Sequence, residues 1–131
     1  MPHPVLTIGQ VAERTGLSVH ALRFYEREGI LANPVHRDSG GRRLYTEDDI
    51  DWLTVCMVLR ASGMPVPEIR DYTTLVREGP GNEPARLALL RHHRERVLTQ
   101  MTQLNKCLDL INYKVAIYED HLETPRADAV G

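Results

Sequence analysis

The sequence predicts a mainly α protein: a small helix-turn-helix head with a two-stranded wing, followed by one long helix built to pair with another. Three observations carry this reading. Two short helical segments flank Gly16, each preceded by a hydroxyl side chain able to cap it. A turn-forming run, Asp38-Ser39-Gly40-Gly41, separates two short arms that carry arginines. A repeat alternating in steps of three and four, apolar at ten of its eleven positions, then runs from Leu87 to Leu122.

Composition bounds what such a chain does. Its 131 residues, 42% hydrophobic and 26% charged, suit one small folded domain rather than a disordered segment. Cores of this size are often completed by oligomerisation. No apolar run reaches the ~20 residues of a membrane span, and Met1-Pro2-His3-Pro4 has no secretion-signal features. A cytoplasmic protein with no membrane partner is therefore expected. Two cysteines, Cys56 and Cys107, are too few for a disulfide framework, a four-thiolate zinc site or an iron–sulfur cluster, so no cofactor is expected. The net charge of −2 conceals an uneven distribution: residues 1–45 carry +2, residues 46–85 carry −5 and residues 86–131 carry +1. Screening over ~8 Å makes such footprints local, so a basic N-terminal third can grip phosphate on an acidic protein.

Thr7 reads as the cap of the first helix, with Gln10 at the capping-box position and Ile8, Val11 and Ala12 at helical spacing. Gly16 stops that helix, Ser18 caps a second carrying Val19, Leu22 and Tyr25, and Gly29 ends it. Short helices joined by a tight Gly turn form the helix-turn-helix pattern. Beyond Asn33-Pro34, the arms Val35-His36-Arg37 and Arg42-Arg43-Leu44-Tyr45 flank strong turn chemistry and read as a wing. Thr46 caps a third helix whose first turn is loaded with Glu47, Asp48, Asp49 and Asp51, the charge a helix N-terminus favours. That dipole role accounts for the acidic run without a metal or catalytic one. The helix ends at Gly63, and a fourth, after Pro65 and Pro67, reaches about Glu78.

The last helix holds the clearest pattern: Leu87, Leu90, Arg94, Val97, Met101, Leu104, Leu108, Ile111, Val115, Tyr118 and Leu122. All but Arg94 are apolar, as the a and d positions of a coiled coil require. A helix over residues 86–122 is roughly 55 Å long, more than the head can cover, so a partner helix is expected. In a parallel, in-register homodimer Arg94 faces its own copy, an unfavourable pairing of like charges. Antiparallel pairing instead brings Glu119 of the partner subunit near it. The predicted organisation is a head over 5–78, a linker over 79–83, a dimerisation helix over 84–122 forming an antiparallel coiled coil, and a flexible tail over 123–131.

The residues Thr7-Ile8-Gly9-Gln10-Val11-Ala12, Gly16-Leu17-Ser18, Leu22-Arg23-Phe24-Tyr25-Glu26, Gly29-Ile30-Leu31 and Arg42-Arg43-Leu44-Tyr45 resemble the MerR family of bacterial transcription regulators, and the likeness covers roughly residues 5–122. The resemblance implies a winged helix-turn-helix head on a homodimer. It implies binding to an inverted repeat in double-stranded promoter DNA, with RNA polymerase as a partner at that promoter. It also implies bending and untwisting of the DNA, a form of indirect readout in which specificity is drawn from deformation.

By the same resemblance Ser18, His20 and Arg23 read the major groove and neighbouring phosphates, and Tyr25 meets phosphate through its hydroxyl. Phe24 stands where a tyrosine is common and lacks the hydroxyl. Arg42, Arg43 and Tyr45 of the wing hold the DNA backbone, while Arg37 either meets phosphate or points into solvent. The alternative for Tyr25 and Tyr45 is core packing.

The effector is less legible. Only nine residues follow Leu122, and no cysteine lies in 79–86 or 123–131, where metal-sensing relatives carry theirs. In a short-bodied branch of the family a thiol in the third helix, two residues before the match to Arg60, senses electrophiles; here Val58 holds that place and Cys56 lies two residues earlier. Cys56 is thus either a sensor thiol or a small buried hydrophobe, and Cys107 is a second candidate thiol. His92 and His93 read as solvated faces of the coil, with a metal pairing to His121 of the partner subunit as the less favoured reading. Two other function classes, a metal-dependent enzyme and a coiled-coil adaptor, have only residue types behind them. No nucleophile–base spacing or phosphate-cradling Gly loop is present, so the protein is not expected to be an enzyme.

Overall fold

A computed structural model describes residues 5–32 and 36–124. Asn33, Pro34 and Val35 of the predicted wing, and the tail beyond Thr124, lie outside the described residues. The element order is β1 (Leu6–Thr7), α1 (Ile8–Thr15), α2 (Val19–Arg27), β2 (His36–Arg37), β3 (Arg43–Tyr45), α3 (Glu47–Ala61), α4 (Val66–Arg77) and α5 (Glu83–Glu123).

The predicted caps form. Thr7 Oγ1 accepts from Gln10 N–H at 3.3 Å while Gln10 Oε1 accepts from Thr7 N–H at 2.8 Å. Thr46 and Asp49 repeat this box at the head of α3. Ser18 Oγ accepts from Ala21 N–H at 3.0 Å and starts α2. Gly16 takes φ 78°, a left-handed conformation that costs glycine little and closes α1. The acidic first turn of α3 has a further use: Glu47 forms a two-pronged pair with Arg14 in the last turn of α1, at 2.8 and 2.9 Å. The carboxylate sits at the positive end of one helix and the guanidinium at the negative end of the other.

The wing hairpin pairs β2 with β3 antiparallel, Arg37 opposite Arg43. Its turn is knotted by Asp38, whose Oδ1 accepts from Gly40 and Arg42 N–H groups, both at 2.9 Å. A third strand joins it: β1 pairs with β3, Leu6 opposite Tyr45, giving the order β1-β3-β2. Two residues are too short for a hydrophobic alternation to show, so this strand is defined only by its partner.

The core gathers Val11, Leu22, Tyr25, Ile30, Leu31, Tyr45, Ile50, Leu53, Cys56, Leu59, Met64 and Ile69 from all parts of the head. The compact unit does not end at the predicted linker. It runs to His93, and a second unit starts at Arg94. The reason lies in the first turns of α5 and in Asn82 just before it. Asn82 Nδ2 donates to Leu75 O at 2.8 Å, and the Arg86 guanidinium donates to Gly79 O at 2.6 Å and Leu75 O at 3.2 Å. Leu89 and Leu90 pack against the head core. Leu90, expected in the dimer seam, is therefore occupied by its own head. His93, expected on a solvated face, is buried, with Nε2 at 2.8 Å from Ser62 Oγ. The second unit is the distal part of α5 and leaves Met101, Leu104, Leu108, Ile111, Val115, Tyr118 and Leu122 exposed along one stripe.

Candidate nucleic-acid interface

Helical periodicity divides α2 into two faces. Leu22 and Tyr25 turn inward, and His20, Arg23 and Arg27 are exposed. Ser18 is exposed as well, with its hydroxyl engaged as a cap acceptor and still free to donate. Arg27 escaped the sequence reading, although it lies one turn after Arg23 at the i+4 spacing that places both on one face.

Between α2 and the wing lies a cleft of about 420 Å³, lined by Thr7, Arg23, Glu26, Arg37, Arg42 and Arg43 among others. Four guanidiniums against two carboxylates, Glu26 and Asp38, make it attractive to anions. Their states differ. The side chains of Arg23 and Arg42 are exposed and have no hydrogen bond or ion pair among the described residues. Arg37, half exposed, donates to Gly41 O at 3.0 Å and to Glu26 Oε1 at 3.1 Å. Of the two readings offered for Arg37, neither is complete, because the side chain ties the wing turn to α2.

Arg43 and Tyr45 differ from the sequence expectation. Both point inward, because side chains alternate along β3 and only Leu44 between them faces out. Arg43 is 6% exposed; its guanidinium lies 3.6 Å from Glu26 Oε1 and 4.9 Å from the centre of the Tyr45 ring. Its three guanidinium nitrogens and the Tyr45 hydroxyl are buried without a hydrogen-bond partner among the described residues. Tyr45 is fully buried, and that burial pushes its hydroxyl above the ordinary tyrosine range, with Arg43 pulling it partly back. Tyr25 is likewise a core residue, its ring tilted against Phe24 at 5.8 Å and its pKa raised by burial. Core packing, the alternative stated for both tyrosines, is what the head shows. Glu26 was also passed over by sequence reasoning: one carboxylate on α2 holds two of the three wing arginines, Arg37 and Arg43.

Of the candidate thiols, Cys56 is fully buried, and burial alone pushes it up to about 12. That suppresses the thiolate on which reactivity depends. Cys107 is exposed on α5. No group of three or more His, Cys, Asp or Glu side chains among the described residues is arranged to hold a metal ion.

With this geometry in view, the likeness to known proteins can be placed on it. Residues 6–75 match the MerR HTH family of regulatory proteins. The chain belongs to the MerR family. The matched segment contains α1, α2, the wing and α3. An uncharacterised HTH-type transcriptional regulator of Haemophilus influenzae is 35% identical over 113 residues, 86% of this chain and 83% of that protein. The regulator AdhR of Bacillus subtilis is 38% identical over 71% of this chain and 66% of its own length. Among solved structures, HiNmlR, a MerR-family regulator lacking the sensor domain and bound to promoter DNA, superposes with a TM-score of 0.81 at 33% identity, covering 97% of this chain and all of that one. A MerR-family regulator from Bacillus thuringiensis superposes with a TM-score of 0.76 at 29% identity, covering 88% of this chain and 100% of that one. In the MerR frame, α1 and α2 are the helix-turn-helix, β2 and β3 the wing, and no helix among the described residues is long and apolar enough to cross a membrane.

Proposed function

We propose that this MerR-family protein is a cytoplasmic, homodimeric transcriptional regulator that binds an inverted repeat in promoter DNA. The observation that carries the reading is the exposed, unpaired Arg23 and Arg42 on either side of the cleft between α2 and the wing. One is placed for the major groove and nearby phosphate, the other for the adjacent backbone, with Ser18, His20 and Arg27 extending the α2 face. The DNA-bound state of HiNmlR supports the same use of this head. The exposed stripe from Met101 to Leu122 supports the dimer, since an apolar seam of that length calls for a second helix. Antiparallel pairing keeps Arg94 from its own copy and sets it near Glu119 of the partner subunit. Two heads on a twofold axis then meet two half-sites. Bending and untwisting between them alters how RNA polymerase engages the promoter.

The test uses the intergenic DNA adjoining the protein's own gene. Wild-type affinity should fall by ~10³–10⁵ between 50 and 200 mM salt if six to ten phosphates are contacted. Arg23→Ala should fold and dimerise normally yet bind at least about tenfold more weakly. Unchanged affinity and unchanged salt dependence in that variant would remove the assignment of α2.

A further inference from the structure

The stretch that leads from α2 toward the wing has an unusual environment. A complete Schellman turn ends α2: Gly29 N–H donates to Glu26 O and Ile30 N–H to Tyr25 O, both at 3.1 Å, with Gly29 at φ 71°. That satisfies the end of the helix itself. The next four carbonyls, of residues 28 to 31, each accept from a side chain of α3 or α4. Arg70 Nε donates to Glu28 O at 2.7 Å. Arg77 Nη2 reaches Gly29 O at 3.2 Å and also Leu31 O. Trp52 Nε1 donates to Ile30 O at 2.6 Å. Trp52 is itself held, stacked on Tyr72 of α4 at 5.7 Å, and Arg70 adds an ion pair to the Glu28 carboxylate.

Four consecutive carbonyls captured by three distant side chains is more than helix capping requires. Ile30 and Leu31 are core residues, so carbonyls there call for protein partners, and those partners come from α3 and α4 rather than from the turn itself. Guanidiniums at this place also complement the negative end of α2. On the reading of α2 as the helix that meets DNA, we propose that Arg77, with Arg70 and Trp52, is a positioning residue for recognition. The clamp fixes where α2 ends and the direction in which the chain leaves for the wing. It thereby sets the spacing between Arg23 on the helix and Arg42 on the wing without touching DNA. The far end of α4 is in turn gripped by Arg86 of α5 and by Asn82 just before that helix, through Leu75 O. The base on which the clamp stands is thus the start of the dimerisation helix.

The test compares full-length wild type with Arg77→Ala, Arg77→Lys and Trp52→Phe, the last keeping an aromatic ring while removing the N–H donor. Hydrogen exchange is read over residues 24–31 and over α3, and affinity is measured for the intergenic duplex and for a shuffled duplex of equal length. Arg77→Ala and Trp52→Phe should raise exchange over 24–31 at least tenfold and leave α3 unchanged. They should weaken the intergenic duplex about tenfold while leaving the shuffled duplex and the salt slope within twofold. Arg77→Lys should restore part of the loss. Unchanged exchange over 24–31, or equal weakening of both duplexes, overturns the proposal. If Arg77→Ala does not fold, Trp52→Phe decides by the same criteria. If wild type does not distinguish the two duplexes, it is the regulator reading that has failed, and the exchange arm still decides whether the clamp holds α2.

Discussion

At the residue scale, the head separates arginines that hold the fold together from arginines available to a ligand. Glu26 neutralises the buried Arg43 and steadies Arg37, so its loss strands a charge. Breaking a buried pair costs ~3–5 kcal/mol. Glu26 keeps 24% of its side-chain surface, so Glu26→Ala should cost nearer ~2 kcal/mol, visible as a lowered midpoint in urea. Arg42→Ala should leave that midpoint alone and reduce the salt slope of DNA binding by about one phosphate contact. A stability loss in Arg42→Ala without an effect on binding would reverse these two roles. The thiols separate in the same way. With Cys56 pushed up to about 12 and Cys107 exposed, a thiol reagent at neutral pH should label one cysteine in the native protein and two after unfolding. Rapid native labelling of Cys56 would return it to the list of sensors. The sequence made Arg23 and Arg42 legible through their place in the motifs. It hid the inward turn of Arg43, although period-two alternation around Leu44 carried that information. An arginine on a wing invites a phosphate reading, and only its neighbours show where it points.

At the element scale, boundaries marked by local chemistry were legible and those set by distant partners were not. Thr7, Ser18 and Thr46 cap the helices expected of them, because a cap is a contact between residues three apart. Thr46→Ala should therefore cost about 1 kcal/mol, read as a drop of several degrees in the melting temperature. The carbonyl clamp after α2 joins residues 22 to 48 positions apart and leaves no local trace. The start of α5 shows the same limit. Leu90 fits the apolar repeat but packs on its own head, as does the neighbouring Leu89. The stripe Arg86, Leu89, Leu90 and His93, spaced three, four and seven from its first member, was the available signal for a helix that begins as part of the head. In the proposed dimer the seam accordingly starts beyond His93. Leu108→Glu, placed within it, should yield a monomer with an intact head, whereas Leu90→Glu should destabilise the head itself.

At the scale of the whole molecule, the two compact units divide the work. One carries the cleft and the exposed face of α2; the other leaves an apolar stripe exposed. The periodicity of α5 made the exposed apolar stripe legible, while the expected direction of pairing rested on Arg94 alone. Direction has its own test: cysteines at positions 94 and 118, with Cys107 replaced by serine, should cross-link two chains through 94 and 118 in an antiparallel pair. A bond between two copies of position 94 would mean a parallel one. The claim on which function turns is that two heads on one rod share a symmetric DNA site. Sedimentation of the protein with a labelled intergenic duplex measures this directly. Two chains per duplex, with loss of binding when either half-site is scrambled, is the expected result. A single chain per duplex, indifferent to the second half-site, would contradict it.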